Sequence, residues 1–158
     1  MSFLINTVNL ANGSRLGISP MPGRFNAGLA DLSTIANWKP DAVVSMTEIS
    51  EMERHNMDDL GGLLGQFDID WTHFPIRDFG APDGMAMWPE LSARLHRVLD
   101  NRGSVLTHCY GGHGRSGMIL LRLMVERGED ANEALARLRA VRPGAVETDA
   151  QFDWAAQT

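Results

Sequence analysis

The stretch SVLTHCYGGHGRSGMILLRLMV, residues 104–125, decides the fold. It begins with a short apolar run, SVLTH, whose length and composition are typical of a strand buried in a parallel sheet. From residue 114 to residue 125 it is apolar nearly all round, as expected for a central helix. A strand, a glycine-rich loop and a helix in this order indicate an α/β fold, with its functional loops at the carboxyl ends of the strands.

The rest of the chain alternates predicted strands and helices. Asn12-Gly13 lies between two alternating segments and predicts a hairpin. AVVSM (42–46) and IDWTHFPI (69–76) predict further strands. Helices are predicted in LADLSTIANW, with Leu29, Leu32, Ile35 and Ala36 on one face, and in MDDLGGLLGQF, WPELSARLHRVLD, ANEALARLRAV and ETDAQFDWAAQ. The sequence therefore predicts one α/β domain over residues 1–158, with a mostly parallel sheet of four to five strands and helices on both faces.

Composition excludes several classes of protein. A single cysteine in 158 residues allows no intramolecular disulfide and fits a reducing compartment, so we expect a cytoplasmic location. The N-terminus has no basic segment typical of a signal peptide, and no apolar run approaches the roughly 18 residues of a membrane span. The net charge of −6 includes no basic stripe, so neither nucleic acid nor a membrane is an expected partner. The oligomeric state stays open.

Four chemical roles are open to the lone cysteine, Cys109. A buried structural thiol needs no glycine-rich loop beside it. A metal site using Cys109, His108 and His113 lacks the second cluster of ligands that zinc sites usually have. A dithiol redox centre lacks its second thiol. A nucleophile accounts for every neighbouring residue, because cysteine reacts as a thiolate and thiolates are stabilised beside cations and helix N-termini.

The residues after Cys109 predict a cradle for an anion. Gly111, Gly112 and Gly114 allow unusual backbone angles, so that successive N–H groups can point at one ligand. The helix predicted to begin at residues 114–115 adds its positive end. Arg115 offers a planar fork that matches two phosphate oxygens. The same donors would stabilise the thiolate and bind a phosphoryl group.

The stretch His108-Cys109-Tyr110-Gly111-Gly112-His113-Gly114-Arg115-Ser116 resembles the signature of the protein tyrosine phosphatases, a cysteine and an arginine separated by five residues. The resemblance implies that Cys109 forms a cysteinyl-phosphate intermediate, with no cofactor and no metal. It implies that Arg115 binds phosphate together with Tyr110, Gly111, Gly112, His113 and Gly114. It also implies that Ser116 helps Cys109 to leave, and that His108 holds the loop. Ser116 as a helix cap stays an alternative. His113 is either a partial positive charge or simply exposed.

A phosphate ester also needs a proton donor for its leaving group, and the segment FPIRDFGAPDG (74–84) offers two carboxylates. The segment is rich in Gly and Pro, as a mobile loop would be. It resembles the acid loop of the dual-specificity phosphatases, which implies that Asp78 is the general acid. Asp83 is the alternative acid, and a role as a turn residue or helix cap would also explain it.

The order of ISPMPGRF, AVVSMTE, HFPIRDFGAPD, HCYGGHGRS and RPGAVETDAQFDW resembles the kinase-associated branch of the dual-specificity phosphatases. This resemblance makes Glu147 and Gln151 candidate supports of the loop, and Arg24 and Glu48 candidate rim residues. It implies a phosphatase acting on phosphotyrosine, and on phosphoserine or phosphothreonine, in a protein partner. The loop contains no lysine, which disfavours a lipid substrate. A phosphoprotein-binding module without activity, a sulfurtransferase and an arsenate reductase are the alternatives.

Overall fold

The computed structural model describes residues 2–82 and 87–157 and places five strands and seven helices there. The strands are β1 (Asn6–Asn9), β2 (Arg15–Ser19), β3 (Ala42–Ser45), β4 (Asp70–His73) and β5 (Ser104–His108). The helices are α1 (Gly28–Trp38), α2 (Ile49–Glu53), α3 (Leu60–Gly65), α4 (Trp88–Asp100), α5 (Gly114–Glu126), α6 (Ala131–Val141) and α7 (Asp149–Ala156). The predicted α/β class is confirmed.

The strands form one sheet in the order β1-β2-β5-β3-β4. β1 and β2 are the antiparallel hairpin that Asn12-Gly13 predicts, and the other pairs are parallel. β5 lies at the centre, and all five of its residues are buried. The register places His108 opposite Ser19 of β2 and Ser45 of β3, so the carboxyl ends of three strands meet where Cys109 begins its loop.

Helices cover both faces of the sheet, because residues of β5 alternate between two cores. Val105 belongs to a core built with α4, α5, α6 and α7, whereas Leu106 belongs to a second core built with α1, α2 and α3. α5 is buried from Gly114 to Val125, which agrees with its apolar sequence. This burial fixes the N-terminus of α5 beneath the loop that carries Cys109.

The structure corrects several sequence-based expectations. Leu29 was predicted on the buried face of α1 but is 84% exposed, because it lies in the first turn, beyond the contact that buries Leu32 and Ile35. The predicted strand 69–76 is regular only over Asp70–His73, since Pro75 cannot donate a hydrogen bond to a neighbouring strand. The helix predicted from the glycine-containing segment is only Leu60–Gly65, and the short helix α2 was not predicted.

Glu126, at the end of α5, joins α5 to α4 through a set of hydrogen bonds. Its carboxylate accepts hydrogen bonds of 2.7 to 2.9 Å from Trp88 Nε1, Ser92 Oγ, His96 Nε2 and Arg122 Nε. Burial alone would raise the pKa of Glu126, but these donors outweigh it and lower the pKa to about 2. Because Trp88 is the first residue of α4, this network holds the start of α4 against α5.

Across residues 2–82 and 87–157, no helix has the length and apolar character needed to cross a bilayer.

Candidate active site

Cys109 follows β5 directly and lies at the floor of a loop that ends at the N-terminus of α5. Its side chain is buried, and its Sγ is 3.2 Å from Ser116 Oγ. Gly112 adopts a φ of +75°, and a Cβ there would lie 2.6 Å from the backbone of Ser19 and Pro20. Only glycine fits this position, because both the backbone angle and the close approach exclude a side chain. Since α5 begins at Gly114 after an N-cap at His113, Ser116 is not the helix cap.

Arg142, which sequence reasoning did not single out, holds the loop from outside. Its Nε donates to Gly112 O and its Nη2 donates to Gly111 O, both at 2.8 Å. In a trans peptide the N–H points away from the preceding carbonyl oxygen. The N–H groups of Gly112 and His113 therefore point away from Arg142. This orientation leaves both N–H groups free of the guanidinium and fits the predicted anion cradle.

Arg115 is the most deeply buried charged side chain of the site, with 1% of its surface exposed. Its Nη1 and Nη2 each donate to one oxygen of Glu51 at 2.8 Å, and Nη1 also donates to Ile76 O at 2.9 Å. Burial alone would lower the pKa of Arg115, but Glu51 and the nearby charges of Cys109 and Asp78 raise it. The guanidinium is therefore charged, and Glu51 fixes its plane.

The remaining edge of Arg115 carries a free donor. Arg115 Nε is buried and has no hydrogen-bond partner within the part of the chain that the structure describes. Buried N–H groups are nearly always paired, so an unpaired one beside a nucleophile indicates a site for a ligand that accepts hydrogen bonds. The Nε–Nη2 edge is a planar fork that matches two oxygens of a phosphate.

Asp78 contacts the same guanidinium. Its Oδ1 is 3.3 Å from Arg115 Nη2 and accepts a hydrogen bond from the backbone N–H of Phe79 at 3.0 Å. The side chain of Asp78 is 54% exposed, so it borders both solvent and the site. Asp83, the alternative acid, lies outside the described residues.

His108 is held in one tautomer by a chain of hydrogen bonds across the sheet. Trp71 Nε1 donates to Ser45 Oγ at 2.8 Å, and Ser45 Oγ is 2.5 Å from His108 Nε2. Because the indole can only donate, the hydroxyl proton of Ser45 is available for His108 Nε2. His108 Nδ1 then carries the ring proton and donates to Cys109 O at 3.3 Å. Burial lowers the pKa of His108 to about 4, so the ring is neutral at physiological pH.

His113 and Tyr110 lie at the mouth of the loop. Both are half-buried. Burial, with the charges of Arg142 and Arg24, lowers the pKa of His113. This direction disfavours the expectation that His113 adds positive charge near neutral pH. Arg24, a predicted rim residue, lies over the ring of Tyr110, with its Cζ 4.5 Å from the ring centroid.

Of the two predicted supporting residues, only Gln151 is buried. Its Oε1 accepts hydrogen bonds from the backbone N–H groups of Glu147 and Thr148, and its Nε2 donates to Gly80 O at 3.1 Å. Gln151 thus joins α7 to the segment that follows Asp78. The side chain of Glu147 is exposed, although its Oε1 lies beside Gly114. Glu48 is exposed at the N-terminus of α2, where its N–H donates to Glu51.

Three functional features of the site were missed by sequence reasoning: Glu51, Arg142 and the pair Ser45–Trp71. Glu51 resembles any surface glutamate in sequence, and only the tertiary contact with Arg115 distinguishes it. Arg142 is the first residue of the RPGAVETDAQFDW segment, but the resemblance assigned it no role. Its position in the same segment as the predicted supports Glu147 and Gln151 is the signal that could have identified it.

The metal-site alternative does not fit the geometry. His108 uses one ring nitrogen toward Ser45 and the other toward the carbonyl of Cys109, so neither nitrogen is available as a ligand. Within residues 2–82 and 87–157, no group of three or more His, Cys, Asp or Glu side chains is arranged to hold a metal ion.

Comparison with known proteins identifies the family. Residues 31–132 match the family model described as cyclin-dependent kinase inhibitor 3 (CDKN3). The chain belongs to this family. Over 107 residues it is 34% identical to cyclin-dependent kinase inhibitor 3 of Rattus norvegicus and 33% identical to that of Homo sapiens. Each match covers 66% of this chain and 50% of the relative, so the chain spans about half the length of these relatives.

Solved structures agree with this family. A crystal structure of kinase associated phosphatase (KAP), in which serine replaces the catalytic-site cysteine, is 25% identical with a TM-score of 0.85. That match covers 98% of this chain and 93% of the other. Tk-PTP in its active form is 32% identical with a TM-score of 0.71, over 88% of this chain and 87% of the other. The chain therefore has the fold of the dual-specificity protein phosphatases.

Proposed function

We propose that this chain is a cysteine-dependent protein phosphatase, acting as a single catalytic unit on phosphotyrosine and on phosphoserine or phosphothreonine in a partner protein. The observation that carries the proposal is the unpaired, buried Nε of Arg115 beside Cys109. A guanidinium held by Glu51, with an unpaired Nε on its second edge, is suited to a phosphoryl group. The names of its CDKN3 and KAP relatives support a phosphoprotein substrate.

In the first step, the Cys109 thiolate attacks phosphorus and forms an S–P bond, while the ester P–O bond breaks. Asp78, protonated at this point, gives its proton to the departing oxygen. Arg115 and the N–H groups of Gly112 and His113 stabilise the charge on the non-bridging oxygens. The alcohol or phenol leaves, and a cysteinyl phosphate remains.

In the second step, water attacks phosphorus and the S–P bond breaks. Asp78, now a carboxylate, accepts a proton from the water. The hydroxyl of Ser116, 3.2 Å from Sγ, donates a hydrogen bond to the departing thiolate. The products are inorganic phosphate and the free enzyme, and His108 keeps the backbone at Cys109 in place through both steps.

The first experiment measures hydrolysis of para-nitrophenyl phosphate between pH 5 and pH 8 in the presence of a chelator. It compares the wild-type chain with Cys109→Ser and Asp78→Asn. We expect no measurable turnover for Cys109→Ser and a large loss for Asp78→Asn. Thermal unfolding of each variant shows that the losses do not come from unfolding.

The alternatives make different predictions in the same experiment. A wild-type chain that binds vanadate or a phosphopeptide but releases no phosphate would be a phosphoprotein-binding module. Activity that survives Cys109→Ser would contradict the mechanism, since Cys109 is the only cysteine.

A further inference from the structure

Three basic or hydrogen-bonding side chains surround Tyr110 at the mouth of the phosphate loop. The Cζ atoms of Arg24 and Arg54 are 4.5 and 6.0 Å from the centroid of the Tyr110 ring. His55 Nε2 is 3.0 Å from the Tyr110 hydroxyl, within hydrogen-bond distance. We call Arg24, Arg54 and His55 the basic rim. Nothing in the two reaction steps uses these residues.

The backbone fixes the basic rim relative to Cys109. The loop after β2 is joined to the phosphate loop because the N–H of Met21 donates to Tyr110 O at 3.1 Å. Arg24 Nη1 donates to the same carbonyl at 3.4 Å. Arg54 and His55 follow α2, the helix that also carries Glu51. Elements that orient Arg115 therefore also orient the rim.

The guanidinium groups of the rim keep most of their donors free. Arg24 uses one long hydrogen bond to Tyr110 O, and Arg54 uses its Nε in a 3.3 Å bond to Ser50 O. Within residues 2–82 and 87–157, neither guanidinium has a carboxylate oxygen within 4.0 Å. Arg115, by contrast, is paired with Glu51 at 2.8 Å. The rim is a local positive region on a chain whose net charge is −6.

A bound group can reach these side chains from solvent. Arg54 is exposed, and Arg24 and His55 are half-buried. Arg54 and His55 also line an open cleft of about 420 Å³ with Asn26, Asn56 and Leu63. The cleft borders the rim at Arg54 and His55, and His55 contacts Tyr110 of the phosphate loop, so a chain that places one residue over Cys109 can continue across the rim.

We propose that the basic rim binds a second anionic group of a phosphopeptide, on a residue close in sequence to the one that enters the phosphate loop. This group is a carboxylate or a second phosphate, because a guanidinium fork binds both. The inference rests on the proposed function and adds its substrate class. Arg24 and Arg54 supply the charge, and His55 holds the Tyr110 hydroxyl beside them.

The test uses phosphotyrosine peptides that differ only at one neighbouring position, which carries alanine, aspartate or phosphoserine in turn. The readout is a preference ratio, the kcat/KM of each acidic peptide divided by that of the alanine peptide. Because both terms come from the same protein, a general loss of activity cancels. For the wild type we expect a ratio of about five for aspartate at the best position, and a larger one for phosphoserine. The ratio should fall as salt is raised.

The variants are Arg24→Gln with Arg54→Gln, and the control is Arg97→Gln. Arg97 is exposed near the end of α4. Because α4 leads into the amino-terminal end of β5, Arg97 lies far from the phosphate loop, which follows the carboxyl end of β5. We expect the double variant to lower the ratio to about one, mainly through KM, and Arg97→Gln to keep the wild-type ratio. The phosphoserine and aspartate arms then show which anion the rim prefers.

Three outcomes would overturn the inference: a wild-type ratio near one at every position, an unchanged ratio in the double variant, or an equal loss in Arg97→Gln. A short-chain phosphoinositide cleaved faster than the best acidic peptide, in a manner dependent on Arg24 and Arg54, would assign the rim to a lipid headgroup instead. If no peptide is cleaved, the proposed function fails on its own. The rim can then be tested by binding to Cys109→Ser protein, where the preference ratio is the Kd of the alanine peptide divided by the Kd of each acidic peptide.

Discussion

The carboxylate of Glu51 accepts two hydrogen bonds of 2.8 Å from Arg115, one from Nη1 and one from Nη2. A guanidinium is planar, so occupation of its Nη1–Nη2 edge decides where the Nε–Nη2 edge points. Glu51 lies in α2, whereas Arg115 lies in the first turn of α5. A contact between distant segments of the chain thus orients the group that we assign to phosphate binding.

Replacement of this carboxylate tests its orienting role. We expect Glu51→Gln to lower kcat/KM for para-nitrophenyl phosphate by one to two orders of magnitude, and to weaken vanadate binding, because the guanidinium loses its fixed plane. We also expect a loss of about 3 kcal/mol in unfolding free energy, since a buried cation loses its ionic partner. The measurements are steady-state kinetics and urea unfolding.

Glu53→Gln is the matched control for Glu51→Gln, because Glu53 is exposed in the same helix. It should leave kinetics and stability close to the wild-type values. Equal losses in the two variants, or wild-type vanadate binding in folded Glu51→Gln, would show that Glu51 does not orient Arg115.

The choice between the two candidate acids can be made from the leaving group. Asp78 is 3.3 Å from Arg115, so we expect Asp78→Asn to slow hydrolysis of phenyl phosphate about a hundredfold. Hydrolysis of para-nitrophenyl phosphate should slow less, since nitrophenolate is a better leaving group and depends less on protonation. Asp83→Asn should resemble the wild type with both esters. If Asp83→Asn, and not Asp78→Asn, slows hydrolysis of phenyl phosphate more than that of para-nitrophenyl phosphate, Asp83 is the general acid.

The hydrogen-bond chain from Trp71 through Ser45 to His108 predicts an effect on the reactivity of Cys109. Ser45→Ala removes the donor to His108 Nε2, so His108 no longer has a fixed tautomer to hold the carbonyl of Cys109. We expect alkylation of Cys109 by iodoacetate at pH 6 to slow about threefold to tenfold, a change that corresponds to the free energy of one buried hydrogen bond. Trp71→Phe should act in the same direction but less strongly. Mass spectrometry locates the label without ambiguity, because the chain has one cysteine.

Ser104→Ala provides the comparison for this chain of contacts. Ser104 is also a buried serine of the sheet, but its hydroxyl accepts from Arg15 Nε at the opposite end of β5. Its alkylation rate should equal that of the wild type. A Ser45→Ala protein that is alkylated as fast as the wild type would show that this hydrogen-bond chain does not affect the reactivity of Cys109.

Glu126 predicts a pH dependence of stability. Its pKa in the folded protein is about 2, below its ordinary value of 4.5, because four donors stabilise the carboxylate. A lowered pKa contributes stability that is present above pH 4.5 and is lost as the pH falls toward 2. Glu126→Gln should therefore be less stable than the wild type at pH 7, by about 2 kcal/mol. The difference should shrink between pH 4.5 and pH 2 in urea unfolding. A difference that stays constant over this range would contradict the assigned ion pairing.

Much of the fold follows from local sequence signals. The SVLTH strand, the Asn12-Gly13 hairpin and the nearly uniform apolar helix from Gly114 each carry their own evidence, and each is present in the structure. Leu29 shows where this reasoning fails. Periodicity places it on the apolar face of α1, but burial depends on how far the neighbouring core extends, and that core ends at Leu32.

Some residues of the site can likewise be predicted from the sequence, and others cannot. The loop from Cys109 to Ser116 is continuous in sequence, so its residues can be recognised together. Glu51, Arg142 and Ser45 come from three other segments and act only through contacts made on folding. Their residue types are ordinary, and no local pattern distinguishes a glutamate that will meet Arg115 from one that stays in solvent.

Attack of Cys109 on phosphorus can be tested by trapping the cysteinyl-phosphate intermediate. The wild-type chain is mixed with a reactive aryl phosphate, quenched in acid within the first turnovers, and digested for mass spectrometry. We expect one phosphoryl group on the peptide that contains Cys109, its accumulation in Ser116→Ala, and its absence in Cys109→Ser. Phosphate release by the wild type with no phosphoryl group on Cys109, or equal release by Cys109→Ser, would show that Cys109 is not the nucleophile.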